Sequence, residues 1–202
     1  MVVVDRMAGS TAESAREYLE HAARIAKAID TDAIDRYART LYEAWRDDRA
    51  VFVFGNGGSA STASHHVCDY VKTASVEGRR RLRAFSLVDN VGLLTAIGND
   101  LSFDDTFVLP LETMAKPGDV AIAISCSGNS PNVVRACRWA KDHGLTIVAL
   151  SGFEGGAMAA LADLHINVPN DNYGIIEDMH LSIGHMVTQR LQALVRDEAT
   201  CS

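Results

Sequence analysis

Two stretches hold side chains whose types and spacing suit proton transfer. In "ASHHVCDY", His65 and Asp69 stand at i and i+4, so on a helix they share one face. His66 points about 100° away and reads as structural or exposed. In "IIEDMHLSIGH", Glu177, Asp178, His180 and His185 interrupt an otherwise apolar helix. A carboxylate can take a proton from carbon, and an imidazole can give or take one at oxygen. Histidines and carboxylates together can also hold a divalent cation. One limit is geometric: Glu177 and His185 are separated by about 12 Å along a straight helix. A solvated helix pair explains His65 and Asp69 equally well, so spacing alone does not pair these groups.

Two loops could present a ligand to them. "GNGGS" places Gly57 and Gly58 after an apolar run, followed by Ser59. It lacks the Lys-Ser/Thr of a P-loop and the third glycine of a dinucleotide fingerprint, so it specifies no nucleotide. "SCSGNSP" sets Ser125, Cys126, Ser127 and Ser130 around Gly128 and Asn129, with Pro131 opening a helix. Short hydroxyls and free N–H groups at a helix N-terminus suit a phosphate. In "GNDLSFDDTF", Asn99 and Asp100 suit contacts to sugar hydroxyls, while Asp104 and Asp105 read as cap and surface.

The elements that must position these groups follow from periodicity. Apolar runs at 50–55, 81–87, 119–125, 145–151 and 164–169 read as strands, several apolar on both faces as in a buried parallel sheet. Helical segments fall at 60–72, 90–97, 103–115, 131–143, 155–162 and along the C-terminal stretch from 175. The alternation predicts an α/β fold, a doubly wound five-stranded parallel sheet flanked by helices. Residues 10–48 read as an N-terminal helical pair broken at Asp30–Asp32. The expected organisation is a helical extension over 1–48 for packing or oligomerisation, a domain over 49–197 and a frayed tail over 198–202. Ligands of such sheets bind beyond the carboxyl ends of the strands. Both polar loops lie there.

Bulk properties narrow the classes. The 202 residues are 48% hydrophobic, enough for one well-buried core. A net charge of -7 argues against a nucleic-acid surface. No apolar run approaches the roughly 20 residues of a membrane helix. The four cysteines lack CxxC spacing, and no signal-peptide pattern is read, which predicts reduced thiols in a cytoplasmic protein.

Taken in order, "FGNGGSASTASHHVCD", "IGNDLSFDDTF", "PGDVAIAISCSGNSPNVVRA", "GLTIVALSG" and "IEDMHLSIGH" resemble sugar isomerase (SIS) domains, closest to the phosphoheptose isomerase group. The resemblance spans essentially the whole chain and implies a SIS, flavodoxin-like fold. It implies phosphate binding by Ser125, Cys126, Ser127 and Ser130, and substrate contacts from Asn56, Ser59 and Asp100. It implies a quartet of His65, Asp69, Glu177 and His185, in which Asp69, Glu177 and His185 carry catalysis and all four can bind zinc. It also implies a homotetramer with a phosphosugar substrate.

Several positions depart from the family pattern. Asp69 stands where Glu is typical, Glu177 where Gln is, Cys126 where Thr is, Thr73 where Arg is, and Gly174 where an acidic residue is. The implied reaction is conversion of sedoheptulose 7-phosphate to a heptose 7-phosphate through an enediol, with either Asp69 or Glu177 as base. Two alternatives are an isomerase of another anionic sugar and a non-catalytic SIS module. The latter type resembles a DnaA-binding initiation factor in "NVGLLTAIGND" but loses the site histidines.

Overall fold

The computed structural model describes residues 11–200. Helices α1 (Thr11–Ala26) and α2 (Thr31–Arg46) precede β1 (Ala50–Gly55), α3 (Gly58–Cys68) and a π-helical turn (Asp69–Thr73). Then come β2 (Arg83–Ser86), α4 (Val91–Asp100), a 3-10 turn (Phe103–Asp105), α5 (Val108–Met114) and β3 (Val120–Ser125). The chain closes with α6 (Pro131–Asp142), β4 (Thr146–Ser151), α7 (Gly156–Ala159), β5 (Leu164–Asn167) and α8 (Tyr173–Thr200).

All five strands are parallel, in the order β2-β1-β3-β4-β5. The order reverses between β1 and β3, which is the switch point where such sheets open a ligand crevice. "GNGGS" leaves β1 and "SCSGNS" leaves β3, so the two polar loops flank that crevice. β1 and β3 are buried along their whole length, as their unbroken apolar runs require. Val51, Val53, Ile122 and Ile124 face a layer containing Tyr37 and Leu41 of α2, Ala63 of α3, and Ile183 and Val187 of α8. Phe52, Phe54, Ala121 and Ala123 face the opposite layer, with Leu111 of α5, Val133 and Ala136 of α6, and Met158 of α7.

The break between the first two helices is made by Asp30, whose carboxylate accepts from the Asp32 and Ala33 amides. Tyr37, Ala38 and Leu41 of α2 are buried in the same cluster as the sheet, and the helix packs along α8. α1 contributes only a half-buried stripe of Tyr18, Ala22 and Ile25, leaving Leu19 exposed. The helix expected over 103–115 is divided. Pro110 lacks an N–H and its ring crowds the carbonyl four residues back, so it is accommodated only within the first turn of α5. α8 continues to Thr200, past the expected end at 197, and residues 201–202 lie outside the described residues.

Candidate active site

α3 and α8 run side by side in a fixed register. Gly58 meets Glu177, His66 meets Gly184, and Gln192 donates to the carbonyl of Thr73 at 2.7 Å. The close approach needs glycine on either side: a Cβ on Gly58 would run into the Glu177 carboxylate, and one on Gly184 into the His66 ring. Seven residues of α3 separate Gly58 from His65, about 10 Å of helix. The register therefore spreads the expected quartet along the α3–α8 pair instead of gathering it.

Three of the four do meet. His65 Nε2 lies 3.1 Å from His185 Nε2, and Asp69 Oδ2 lies 3.5 Å from the first and 3.7 Å from the second. Four-coordinate zinc with ligand distances of about 2.0–2.2 Å spaces its donors by roughly 3.3–3.5 Å, so these atoms are set as one face of such a site. The set is chemically suitable, two imidazoles and a carboxylate. The side chains of His65 and His185 are 49% and 46% exposed, so the cluster opens to solvent on one side, as a substrate site must. Glu177 stands apart: its carboxylate rests against Gly58 at the N-terminus of α3.

Beneath the cluster is a buried polar chain. His66 is not at the surface; its Nε2 donates to the His180 carbonyl at 3.1 Å, in the tautomer that leaves Nδ1 to accept from Tyr70 at 3.4 Å. Tyr70 and Tyr37 share a hydroxyl hydrogen bond of 2.8 Å. His180 Nε2 donates to the Ser151 carbonyl at 3.0 Å, and its Nδ1 is buried without a hydrogen-bond partner among the described residues. Burial pushes His180 down to about 4, and a proton on Nδ1 would bury an N–H with no acceptor.

This has a consequence for stability. The fold favours neutral His180, so its contribution is fully present above the unfolded value near 6.5 and is lost as pH falls through the folded value near 4. His66 is likewise pushed down to about 4 by burial, so unfolding in urea is expected to need about 5 kcal/mol less at pH 4.5 than at pH 7.5. Equal unfolding free energies at the two pH values would show that neither histidine is held neutral.

The two loops brace each other. Asn56 and Asn132 exchange hydrogen bonds of 2.8 and 2.9 Å, and Asn132 also donates to Thr106 at 3.0 Å. Asn56, expected at the substrate, thus ties the β1 loop to the first turn of α6. Asn132 is buried and was not singled out from sequence; nothing in its spacing marks it. Gly128 holds φ +63° and sits against the backbone of Gly155 and Gly156, where any Cβ would collide. Gly128 N donates to Ser125 Oγ, Asn129 N donates to Ser127 Oγ, and Asn129 Oδ1 accepts from Ala157 N. The hydroxyl of Ser130 does not cap α6 and lies 3.5 Å from that of Ser125.

The remaining expected residues divide. Ser59 is buried and hydrogen-bonded to Cys126, whose thiol is raised to about 11 by burial and by nearby Glu177, so it stays protonated and is no nucleophile. Gly57 and Gly58 are exposed at the crevice. Asn99 donates to Asp100 at 2.7 Å, and both are exposed at the end of α4.

A family model for the SIS domain matches residues 17–152. The chain belongs to the SIS domain family. Among its relatives is a probable phosphoheptose isomerase of Thermoplasma acidophilum, 39% identical over 173 residues, covering 86% of this chain and 94% of that protein. The phosphoheptose isomerase of Aliarcobacter butzleri is 35% identical, over 86% of this chain and 93% of that protein. Among solved structures, the phosphoheptose isomerase of Neisseria gonorrhoeae aligns with a TM-score of 0.83 and 29% identity, over 90% of this SIS chain and 98% of that one. One from Francisella tularensis aligns with a TM-score of 0.85 and 26% identity, over 92% and 100% of the two chains.

Proposed function

We propose that this chain is a phosphosugar ketol-isomerase that interconverts sedoheptulose 7-phosphate and a heptose 7-phosphate through an enediol. The observation that carries this is the meeting of His65, Asp69 and His185 on the α3–α8 pair, whose α3 starts at the crevice beside the serine loop. The named activity of its relatives points the same way.

The substrate phosphate sits among Ser125, Ser127, Ser130 and the free N–H groups of the loop at the N-terminus of α6. An open-chain heptose anchored there extends over the α3–α8 pair toward the exposed trio. Its hydroxyls pass Gly57, Gly58 and Glu177, and its carbonyl end reaches the trio. Asp69 takes the proton from one carbon and, once that proton has exchanged with solvent, delivers one to the neighbour, while His185 moves a proton at the carbonyl oxygen. Either carboxylate could serve by chemistry. Asp69 is favoured as base because it lies with both histidines, whereas Glu177 lies about 10 Å nearer the crevice by the rise of α3. Asn99 and Asp100 serve as further substrate contacts.

His65, Asp69 and His185 are also the residues that would hold Zn²⁺, one per subunit, and with the metal bound His185 would be a ligand in place of its proton-transfer role. When bound, the metal would stabilise negative charge developing on the carbonyl oxygen. Incubation with sedoheptulose 7-phosphate should produce the aldose in NMR spectra, and His185→Ala should abolish it. Turnover that survives in His185→Ala would refute the site; binding without turnover would point to another anionic sugar.

The working unit is a homo-oligomer, a tetramer. Val91, Leu93, Leu101 and Phe103 are exposed on α4 and the turn after it, apolar surface of the kind subunits cover. Light scattering should give about four times the 21.8 kDa chain mass; a monomer at working concentration would contradict it. Buried, unpaired Cys126 and Cys137 fit a reducing, cytoplasmic setting. Among the described residues, no helix is long and apolar enough to cross a membrane.

A further inference from the structure

α3 ends in a π-helical turn over Asp69–Thr73, in which Ala74 N donates to Asp69 O at 2.8 Å. Such turns inside or beside α-helices gather at functional sites because they re-aim side chains. Three carbonyls of this turn are taken by side chains. Arg81 donates to Val71 O at 2.7 Å, Ser75 Oγ to Lys72 O at 2.7 Å, and Gln192 of α8 to Thr73 O at 2.7 Å. Gln192 also reaches Ser75 O at 3.4 Å. Thr73 is thereby fixed to the same helix that carries His185.

From that position the Thr73 hydroxyl donates to Asp69 Oδ1 at 2.9 Å, while Oδ2 faces His65 at 3.5 Å and His185 at 3.7 Å. The two carboxylate oxygens are divided between two tasks. We infer that Thr73 is a positioning residue: its hydroxyl holds Oδ1 and so turns Oδ2 into the histidine pair, with Gln192 holding Thr73 in place. This rests on the reading of the trio as the reacting end of the site and a cation site. An unanchored Asp69, short and free to rotate about its side-chain torsions, would present Oδ2 to the histidines only part of the time.

The test uses Co²⁺ as a probe of the trio, independent of turnover. Titrations of wild type, His185→Ala, Thr73→Val, Thr73→Ser and Gln192→Met are followed by visible absorption and by competition with a chelator, beside thermal unfolding of each metal-free protein. Thr73→Val keeps the branched shape and loses the donor. It should weaken Co²⁺ binding about 10–100-fold, the usual cost of losing a group that orients a ligand, and alter the ligand-field bands. Thr73→Ser should restore both, and Gln192→Met should give a smaller loss in the same direction. Binding and bands in Thr73→Val identical to wild type would overturn the inference and leave the trio standing. So would an unrescued loss in Thr73→Ser that merely follows a drop in melting temperature. A wild-type protein whose Co²⁺ binding does not depend on His185 would overturn the cation site itself, and the inference with it.

Discussion

Asp69→Asn should lower kcat by about 10²–10⁴-fold, the usual contribution of a positioned general base, equivalent to about 3–5 kcal/mol in the barrier. The change keeps the shape of the side chain and the possibility of a bond from Thr73 to the oxygen now held at 2.9 Å. It removes the charge that lies beside both histidines. KM should move little, because the phosphate anchor is elsewhere on the molecule. Glu177→Gln is the paired experiment. If Glu177 only meets substrate hydroxyls beside Gly58, an amide can replace it and kcat should stay within about tenfold. Steady-state kinetics on the two variants separates the carboxylates. A dead Glu177→Gln beside an active Asp69→Asn would reverse the assignment and move the reacting carbons to the crevice.

The second large effect is expected at the serine loop. Ser127→Ala with Ser130→Ala removes two hydroxyls placed to meet the phosphate. Hydrogen bonds to a charged group are worth about 1.5–3 kcal/mol each, so kcat/KM should fall about 10²–10⁴-fold. Part of that loss should appear in kcat, because an anchored phosphate fixes the carbonyl end at the trio about two helical turns away. Ser127 also accepts from Asn129 N and Ser130 packs beside Ser125, so circular dichroism and melting temperature of the double variant must match wild type for the kinetic change to be assigned to binding. An unchanged kcat/KM would place the phosphate elsewhere.

Much of the fold was legible because its physics is local. The runs at β1 and β3 are apolar on both faces, which only a covered parallel sheet tolerates, and Asp30 announces a helix start by its own side-chain geometry. What covers a helix is not local. The pattern of Tyr37 and Leu41 predicts an apolar face but not that the face lies on α8 and the sheet. His65 with Asp69 follows from helical spacing. The addition of His185, the separation of Glu177 and the burial of His66 depend on the register between α3 and α8. Gly58 and Gly184 fix that register by letting the helices touch. The π turn is equally hidden, since it depends on Gln192, Arg81 and Ser75 meeting its carbonyls. Asn132 shows the same limit at the crevice: one amide among several, important only because Asn56 and Thr106 are folded against it.

The central claim, proton transfer between adjacent carbons of a phosphosugar at the trio, is tested most directly in deuterated water. Protein incubated with sedoheptulose 7-phosphate is followed by proton NMR, with Asp69→Asn alongside. The account predicts aldose heptose 7-phosphate carrying deuterium at C2, formed by wild type and suppressed in the variant. Bound phosphosugar with no aldose and no exchange of a carbon-bound proton would contradict it.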